Sequence, residues 1–487
     1  MELPSLTQEN LDKIDTPQFK AFEWLADHPE LENLPVWKMK QLFALVTFYH
    51  AMDGNNWFER IQGDWLRYDK DECLWFSTEF GYFVIQDDGP PIFIEYEEGE
   101  YQNDHVYNPE GGDSILPCND NGKFQSLALS ELGLGGFNPF IPPEISMLSS
   151  LTYLTLLRNG INVTLSDFVP AELFEMTSLR VFSFHINQMT GTIPSEFGLM
   201  TNLVSFSVSS NQLTGTLPTE LCDMTSLLAI FLNGNSLNGT IPSEVGKLTD
   251  IDEGFYIHWN EMSGTIPSEL GRLTSTLKLQ LFGNRLTGTI PTELGLLTEM
   301  NTLYLDANLL SGPVPTEFGG LVTLQKFVTH FNDLTGAVPT ELGNCANISL
   351  LSLNDNQLTG TIPSELGLVS AAELVFLQNN LLSGSLPDEL WQMTNLTLLD
   401  VSGMPFMFGP LPFELMPSSL RHLNVEGGNQ LSGTIPDDLC VHEDPECRTG
   451  LPWDPKNCTI AFECSEYLCG CDCPCSGNQT WDLNSTI

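Results

Sequence analysis

The stretch LTGTIPTELG, Leu286 to Gly295, has close copies on both sides of it, and that recurrence limits the fold more than any other feature of the chain. The proline of the motif falls at Pro194, Pro218, Pro242, Pro267, Pro291, Pro315, Pro339, Pro363, Pro387, Pro412 and Pro436. Those intervals are 24 residues, except for 25 at Pro267 and Pro412, and two less regular copies precede them at Pro142 and Pro170. About thirteen units therefore run from roughly residue 124 to 438. A single unit of this size cannot bury its own apolar side chains, so neighbouring units must stack and share a core.

Each unit reads approximately L-x-x-L-x-L-x-x-N-x-L-T-G-T-I-P-x-E-L-G-x-L-T-x. The opening alternation, as in LVSFSVSSN from Leu203 to Asn211, predicts a half-buried strand. The Asn that closes it (Asn187, Asn211, Asn235, Asn260, Asn284, Asn308, Asn332, Asn356 and Asn380) turns the chain inward, where its amide can satisfy backbone groups of neighbouring turns. Gly then permits close backbone approach, and Pro fixes φ where no ladder partner is needed. The xELGxLT segment predicts a short helical turn. Stacked strands about 4.8 Å apart give a curved parallel sheet on the order of 60 Å long. The expected fold is an α/β solenoid.

Composition narrows the function. The 487 residues carry 63 Asp plus Glu against 18 Lys plus Arg, a formal net charge of −45. Such a chain repels phosphate backbones, so no nucleic-acid partner is expected, and divalent cations would associate diffusely with a solvated acidic surface. No run reaches the roughly 18 apolar residues of a membrane span. The first residues show neither a basic stretch nor an apolar stretch of a secretory signal. Twelve cysteines and seven N-x-Ser/Thr sequons, at Asn162, Asn238, Asn347, Asn395, Asn457, Asn478 and Asn484, point instead to an oxidising, glycosylating exterior. The expectation is an extracellular or cell-surface protein whose targeting segment or anchor lies outside this stretch.

The consensus closely resembles the plant-type extracellular leucine-rich repeat, marked by its L-x-G-x-I-P segment, over some 310 residues. The acidic flanks and the cysteine-dense tail look more like receptor-like leucine-rich-repeat proteins of diatoms. The resemblance implies a right-handed horseshoe or superhelix with its strands on the concave face. It also implies a cysteine pair in the N-terminal cap, matched by Cys73 and Cys118. Here an acidic insert, about residues 79–117, separates the two; YFVIQDDGPPIFIEYEEGEY within it predicts a hairpin about Gly-Pro-Pro.

Three regions follow: an N-terminal helical cap over 1–123, the array over 124–438 and a Cys-rich C-terminal cap or tail over 439–487. TPQFKAFEWLADH and PVWKMKQLFALVTFYHAM read as amphipathic cap helices, the first beginning after Thr16 and the second near Pro35. In the tail, Cys440, Cys447, Cys458, Cys464, Cys469, Cys471, Cys473 and Cys475 read as disulfide-bonded rather than as a thiolate metal cluster, because sequons share the segment. Cys222 and Cys345 lie five repeats apart, on the order of 24 Å, too far to bridge, and read as buried thiols.

Signatures of common nucleophilic, metallohydrolase, nucleotide-binding and kinase sites are absent, so neither an enzyme nor a cofactor is expected. The information lies in positions that the consensus leaves free. The third, fifth, seventh and eighth residues of each strand segment should face away from the leucines, onto the concave side. There the chain places Phe231, Tyr256, His258, Trp259, Gln280, Phe282, Tyr304, Asp306, His330, Phe331 and Phe376. A contiguous aromatic group on an exposed face supplies contact area at low entropic cost, and the polar neighbours can orient a peptide, glycan or protein ligand. The leading expectation is a non-catalytic, receptor-like recognition module, with a co-receptor possible for signalling. The alternatives are an acidic structural or adhesive wall glycoprotein and, more weakly, a secreted inhibitor of a wall-degrading hydrolase.

Overall fold

The computed structural model describes residues 16–53, 118–119, 121–130, 134, 139–425 and 429–432, together with the backbone of 82–84, 92–94 and 459–461. The chain divides into two compact units, Met1–Leu286 and Thr287–Ile487, a division inside the repeat array.

In the first unit, helix α1 spans Pro17–Ala26 and helix α2 spans Val36–Ala51. Thr16 caps α1 by accepting from the Phe19 N–H, and Pro17 sits in the first turn, where a missing donor costs nothing. The expectation that both helices are amphipathic is corrected for α2. Its residues from Gln41 to Tyr49 are all buried, because α2 packs on α1 at one side and on the first repeats at another. Gln41 joins this cap to the array: its Nε2 donates to the Gly122 carbonyl at 3.1 Å, and its Oε1 accepts from the Phe124 N–H at 2.8 Å. Thus the amide closes hydrogen bonds that the first turn would leave open.

Parallel strands follow in chain order, each paired with the next: Ser126–Ser130, Tyr153–Leu157, Val181–Ser183, Ser205–Ser207, Ala229–Phe231, Gly254–Tyr256 and Lys278–Gln280. Their inward residues form the core, where Phe182, Phe206 and Phe197 interlock with ring centroids 4.9–5.6 Å apart. In the second unit the ladder runs Thr302–Tyr304, Lys326–Val328, Leu350–Ser352, Leu374–Phe376, Leu398–Asp400, His422–Asn424 and Thr459–Ala461. Its last strand lies beyond residue 438, where the sequence repeat ends.

The predicted helical turns are 3-10 helices rather than α-helices. A turn such as Ser195–Leu199 has five residues, and its bonds close from Phe197 N to Pro194 O and from Met200 N to Phe197 O. The glycines are tightly placed. A Cβ on Gly198 would strike the Glu220 carbonyl oxygen, and one on Gly215, whose φ is +81°, would lie 2.7 Å from Thr192 Cγ2.

The asparagines hold successive turns together. Asn211 Nδ2 reaches the carbonyls of Phe184, Val208 and Ser209 at 2.9, 3.1 and 3.1 Å, while its Oδ1 accepts from the Met189 N–H at 3.0 Å. Asn187, Asn260 and Asn284 repeat this in the first unit, and Asn332, Asn356 and Asn380 in the second. Asn159, outside the regular consensus, joins in by donating to Leu129 and Leu157.

Cys222 and Cys345 are free and buried, and burial pushes their thiols up to about 12 and about 11. Cys118 is disulfide-bonded, but Cys73 lies outside the described residues, as do the eight tail cysteines and Asn457, Asn478 and Asn484. Of the 79–117 insert, only the antiparallel strands Tyr82–Val84 and Ile92–Ile94 are described, in the expected hairpin pairing. No described helix is long and apolar enough to cross a membrane.

Replacing Asn211 by Ala strands several buried backbone groups at once, and each such group costs about 1–3 kcal/mol. Urea denaturation should show a loss of about 3 kcal/mol or more for Asn211→Ala. Asn202→Ala, which removes one exposed bond to Thr177 O, should cost less than about 1 kcal/mol.

Candidate ligand-binding face

The face of each ladder opposite the leucine core, here the free face, carries the residues that the consensus does not fix. In the first unit, register aligns Ser183, Ser207, Phe231, Tyr256 and Gln280 across successive strands. Phe231 and Tyr256 stack with centroids 4.6 Å apart and planes within 9°. They are only 5% and 7% exposed, so this pair forms a local apolar cluster with Ala229 instead of the open surface expected of it. Their rings spend their faces on each other. Val181, Ser183, Ser205 and Ser207 are buried too.

Exposure rises toward the C-terminal end of the strands. His258 stacks on Phe282, at 4.4 Å and 8°, and both are half-buried, as is Gln280. Burial lowers the His258 imidazole from 6.5 to about 4, and the same cause, helped by Arg158, lowers His185 to about 4. Both rings are therefore neutral at physiological pH. Trp259, by contrast, is 60% exposed and stands edge-on to Phe282.

The backbone explains why Trp259 projects. The residue just before each ladder asparagine has positive φ: 51° at Arg158, 54° at Ile186, 53° at Ser210 and Trp259, and 67° and 62° at Gly234 and Gly283. The second unit repeats this at Ala307, Phe331, Asp355 and Asn379, and Gly403 keeps the conformation where Met404 stands in the asparagine's place. Glycine, and after it Asn and Asp, suit such a conformation, whereas bulky and β-branched residues are strained in it. Alternation alone does not reveal this row. Its signal in the sequence is the recurrence of Ser210, Gly234, Gly283, Asp355, Asn379 and Gly403 at one register.

In the second unit, Asp306 is buried and His330 half-buried, with Nε2 3.6 Å from Asp306 Oδ2. His330 Nδ1 lies 3.1 Å from Ser352 Oγ, which donates to Asn354 Oδ1, and Asn354 Nδ2 donates on to Asp355. Asn379 Nδ2 reaches the other Asp355 oxygen at 2.8 Å. This places a polar chain across four turns, of which Ser352, Asn354, Asp355 and Asn379 were not among the expected site residues. Burial raises Asp306 above its usual value, with His330 opposing, and burial likewise raises Tyr304. Phe331 stands beside this chain, 58% exposed, while Phe376 is half-buried. Among the described residues no group of three or more His, Cys, Asp or Glu has the arrangement of a metal site.

The described sequons Asn162, Asn238, Asn347 and Asn395 are all exposed, and none lies in a strand of the free-face ladders. Asn347 and Asn395 use Nδ2 to donate to Val322 O and Ser370 O of the preceding turn.

The family model described as Leucine Rich Repeat matches residues 202–224, 347–368 and 419–441, within which lie the ladder strands Ser205–Ser207, Leu350–Ser352 and His422–Asn424. These segments of the chain are leucine-rich repeats. Its array is similar to that of the Arabidopsis receptor kinase HAESA, solved with the peptide hormone IDA and the co-receptor SERK1: identity is 29% over 65% of this chain and 56% of that one, with a TM-score of 0.55. A TDR receptor structure is similar at 28% identity, over 64% of this chain and 57% of that one, with a TM-score of 0.56. The Leptospira interrogans leucine-rich-repeat protein LIC12759 is similar at 26%, over 71% and 93%, with a TM-score of 0.51. The chain spans about half the length of the receptor structures that it matches. No curated protein matches it by sequence.

Three depressed histidines set a pH dependence: His185, His258 and, in helix α2, His50, which burial and then Lys20 lower to about 4. Between pH 6.5 and about 4, the unfolded chain binds protons at these rings that the folded chain does not. Their stabilising effect is whole above 6.5 and is lost as pH falls toward 4. The urea midpoint should fall over that interval, and His258→Gln should make the fall shallower.

Proposed function

We propose that this protein is an extracellular, receptor-like leucine-rich-repeat recognition module, non-catalytic, that binds a peptide, glycan or protein on the concave, free face of its array. The observation that carries this reading is Trp259: a large aromatic residue, mostly exposed, held at φ 53° where its neighbours in the row are Ser210, Gly234 and Gly283. Exposure of an indole and left-handed strain at a bulky residue both oppose stability, and such features concentrate where a contact needs them. Phe331 meets the same description in the second unit. Two further facts support the reading. The described sequons lie off the free-face strands, so glycans would leave that face open. The similar receptor ectodomains include one solved with a peptide hormone and a co-receptor, which makes a co-receptor a reasonable partner here.

The test uses the secreted full chain, labelled and titrated on intact cells and extracellular matrix. Saturable binding is expected, with the affinity falling at least ten-fold in Trp259→Ala or Phe331→Ala, the scale on which truncated hot spots act. Saturable binding equal in all three proteins would overturn the assignment to this face. Non-saturating, cation-dependent self-association would favour the structural glycoprotein instead.

A further inference from the structure

The row of left-handed residues in the first unit has an internal shape. Backbone hydrogen bonds from Asn187 N to Ser210 O, from Asn211 N to Gly234 O, from Asn235 N to Trp259 O and from Asn260 N to Gly283 O fix the order Ile186, Ser210, Gly234, Trp259, Gly283. Ile186 and Trp259 are exposed; between them stand only a hydroxymethyl and a glycine. At about 4.8 Å per strand the two side chains are about 14 Å apart, and the gap between them is floored by Ser210 and Gly234.

The indole is seated. A Cβ on Gly283 would lie 2.7 Å from Trp259 Cε3 and 3.0 Å from Cδ2, so the ring lies against the glycine that follows it in the row. Phe282 meets it edge-on from the adjoining row. One ring face is thus supported by backbone and the opposite face is left to solvent. The result is a flat platform, not a pocket that would enclose an apolar side chain.

The residues that border the gap between Ile186 and Trp259 carry no net charge, in a chain of net charge −45; the cation of this row, Arg158, stands beyond Ile186 on the side away from the gap. Ser209, Asn233 and His258 adjoin the row on one side, with His258 buried enough to stay neutral. On the other side come Gln188, Gln212, Ser236 and Glu261, the last paired with Arg285 at 3.2 Å. A ligand here meets a bare aromatic plane bordered by amides and hydroxyls. A charged peptide would find no net opposite charge, whereas a neutral pyranose matches both parts: its axial C–H groups cover a π face, and its hydroxyls exchange hydrogen bonds with planar amides.

We propose that the Ile186–Trp259 gap binds a neutral polysaccharide, one sugar ring stacked on Trp259 and its hydroxyls read by Asn233, Gln212 and Ser236. This rests on the recognition reading above and names its ligand class.

Laminarin, cellohexaose and hexa-N-acetylchitohexaose are titrated into the full chain by calorimetry, with heparin and polylysine as charged controls. At least one neutral glycan should bind, with little change between 50 and 500 mM salt and between pH 6 and 8. Trp259→Ala should weaken it at least ten-fold, and Trp259→Phe less. Trp259→Gly should lose binding while melting no lower than the wild type, since glycine suits the left-handed backbone; that result separates lost contact from lost fold. Cell or matrix surfaces are treated in parallel with periodate or with protease. Trp259-dependent binding that periodate abolishes and neutral glycan competes supports the proposal. Trp259-dependent binding that protease abolishes and no glycan competes overturns it while leaving the recognition reading intact. Absence of any Trp259-dependent binding overturns the glycan site, and Phe331→Ala then decides the wider reading.

Discussion

The amide of the ladder asparagine is the interaction on which everything else in the array depends. At the end of each short strand the chain must bend inward, and the bend aims carbonyls at the interior with no strand partner. One Asn side chain resolves this by donating to a carbonyl of the preceding turn and to two of its own turn, and by accepting an N–H, as Asn211 does. Unpaired carbonyls at that depth would cost more than the burial of one leucine returns. The residue recurs in every turn from Asn187 to Asn380, and only Met404 replaces it before Asn429, because no other side chain of that length presents both two donors and an acceptor.

The same geometry creates the strained row. For Asn211 Nδ2 to turn back onto the carbonyls of Val208 and Ser209, the residue between must reverse direction, and Ser210 does so at φ 53°. Every ladder asparagine therefore brings a left-handed neighbour that is pushed outward at the strand end. Structure and candidate site are thus one device. The fixed amide makes the bend, and the bend presents one side chain per turn that contributes little to the core.

Much of this was legible in the sequence. Strands, asparagine ladder, cap helices with Thr16 at the N-cap and buried thiols at Cys222 and Cys345 follow from period, alternation and capping chemistry, all of which act locally. What alternation could not supply is the distinction among outward positions. Phe231 and Tyr256 occupy the same column as exposed residues would, yet stack at 4.6 Å and disappear from solvent, because burial there depends on what the adjoining turns carry. The polar chain from His330 through Ser352 to Asp355 likewise joins residues of different turns, none of which signals the others in sequence. Likewise α2 reads as amphipathic alone and is buried all along Gln41 to Tyr49 only because two partners enclose it.

The left-handed row also shows how a repeat protein can vary without failing. A bulky residue there needs room on the next turn, and Trp259 has it because Gly283 follows in the row; with any side chain at 283 the indole would have to swing outward. Phe331 is followed by Asp355, whose carboxylate is instead held by Asn354 and Asn379. A substitution in this row is therefore coupled to the next turn and scarcely to the core, where Phe182, Phe197 and Phe206 leave no slack. Two neighbouring turns can change together at a cost confined to one φ, and that makes this row the place where a specific surface can be written onto a constant scaffold.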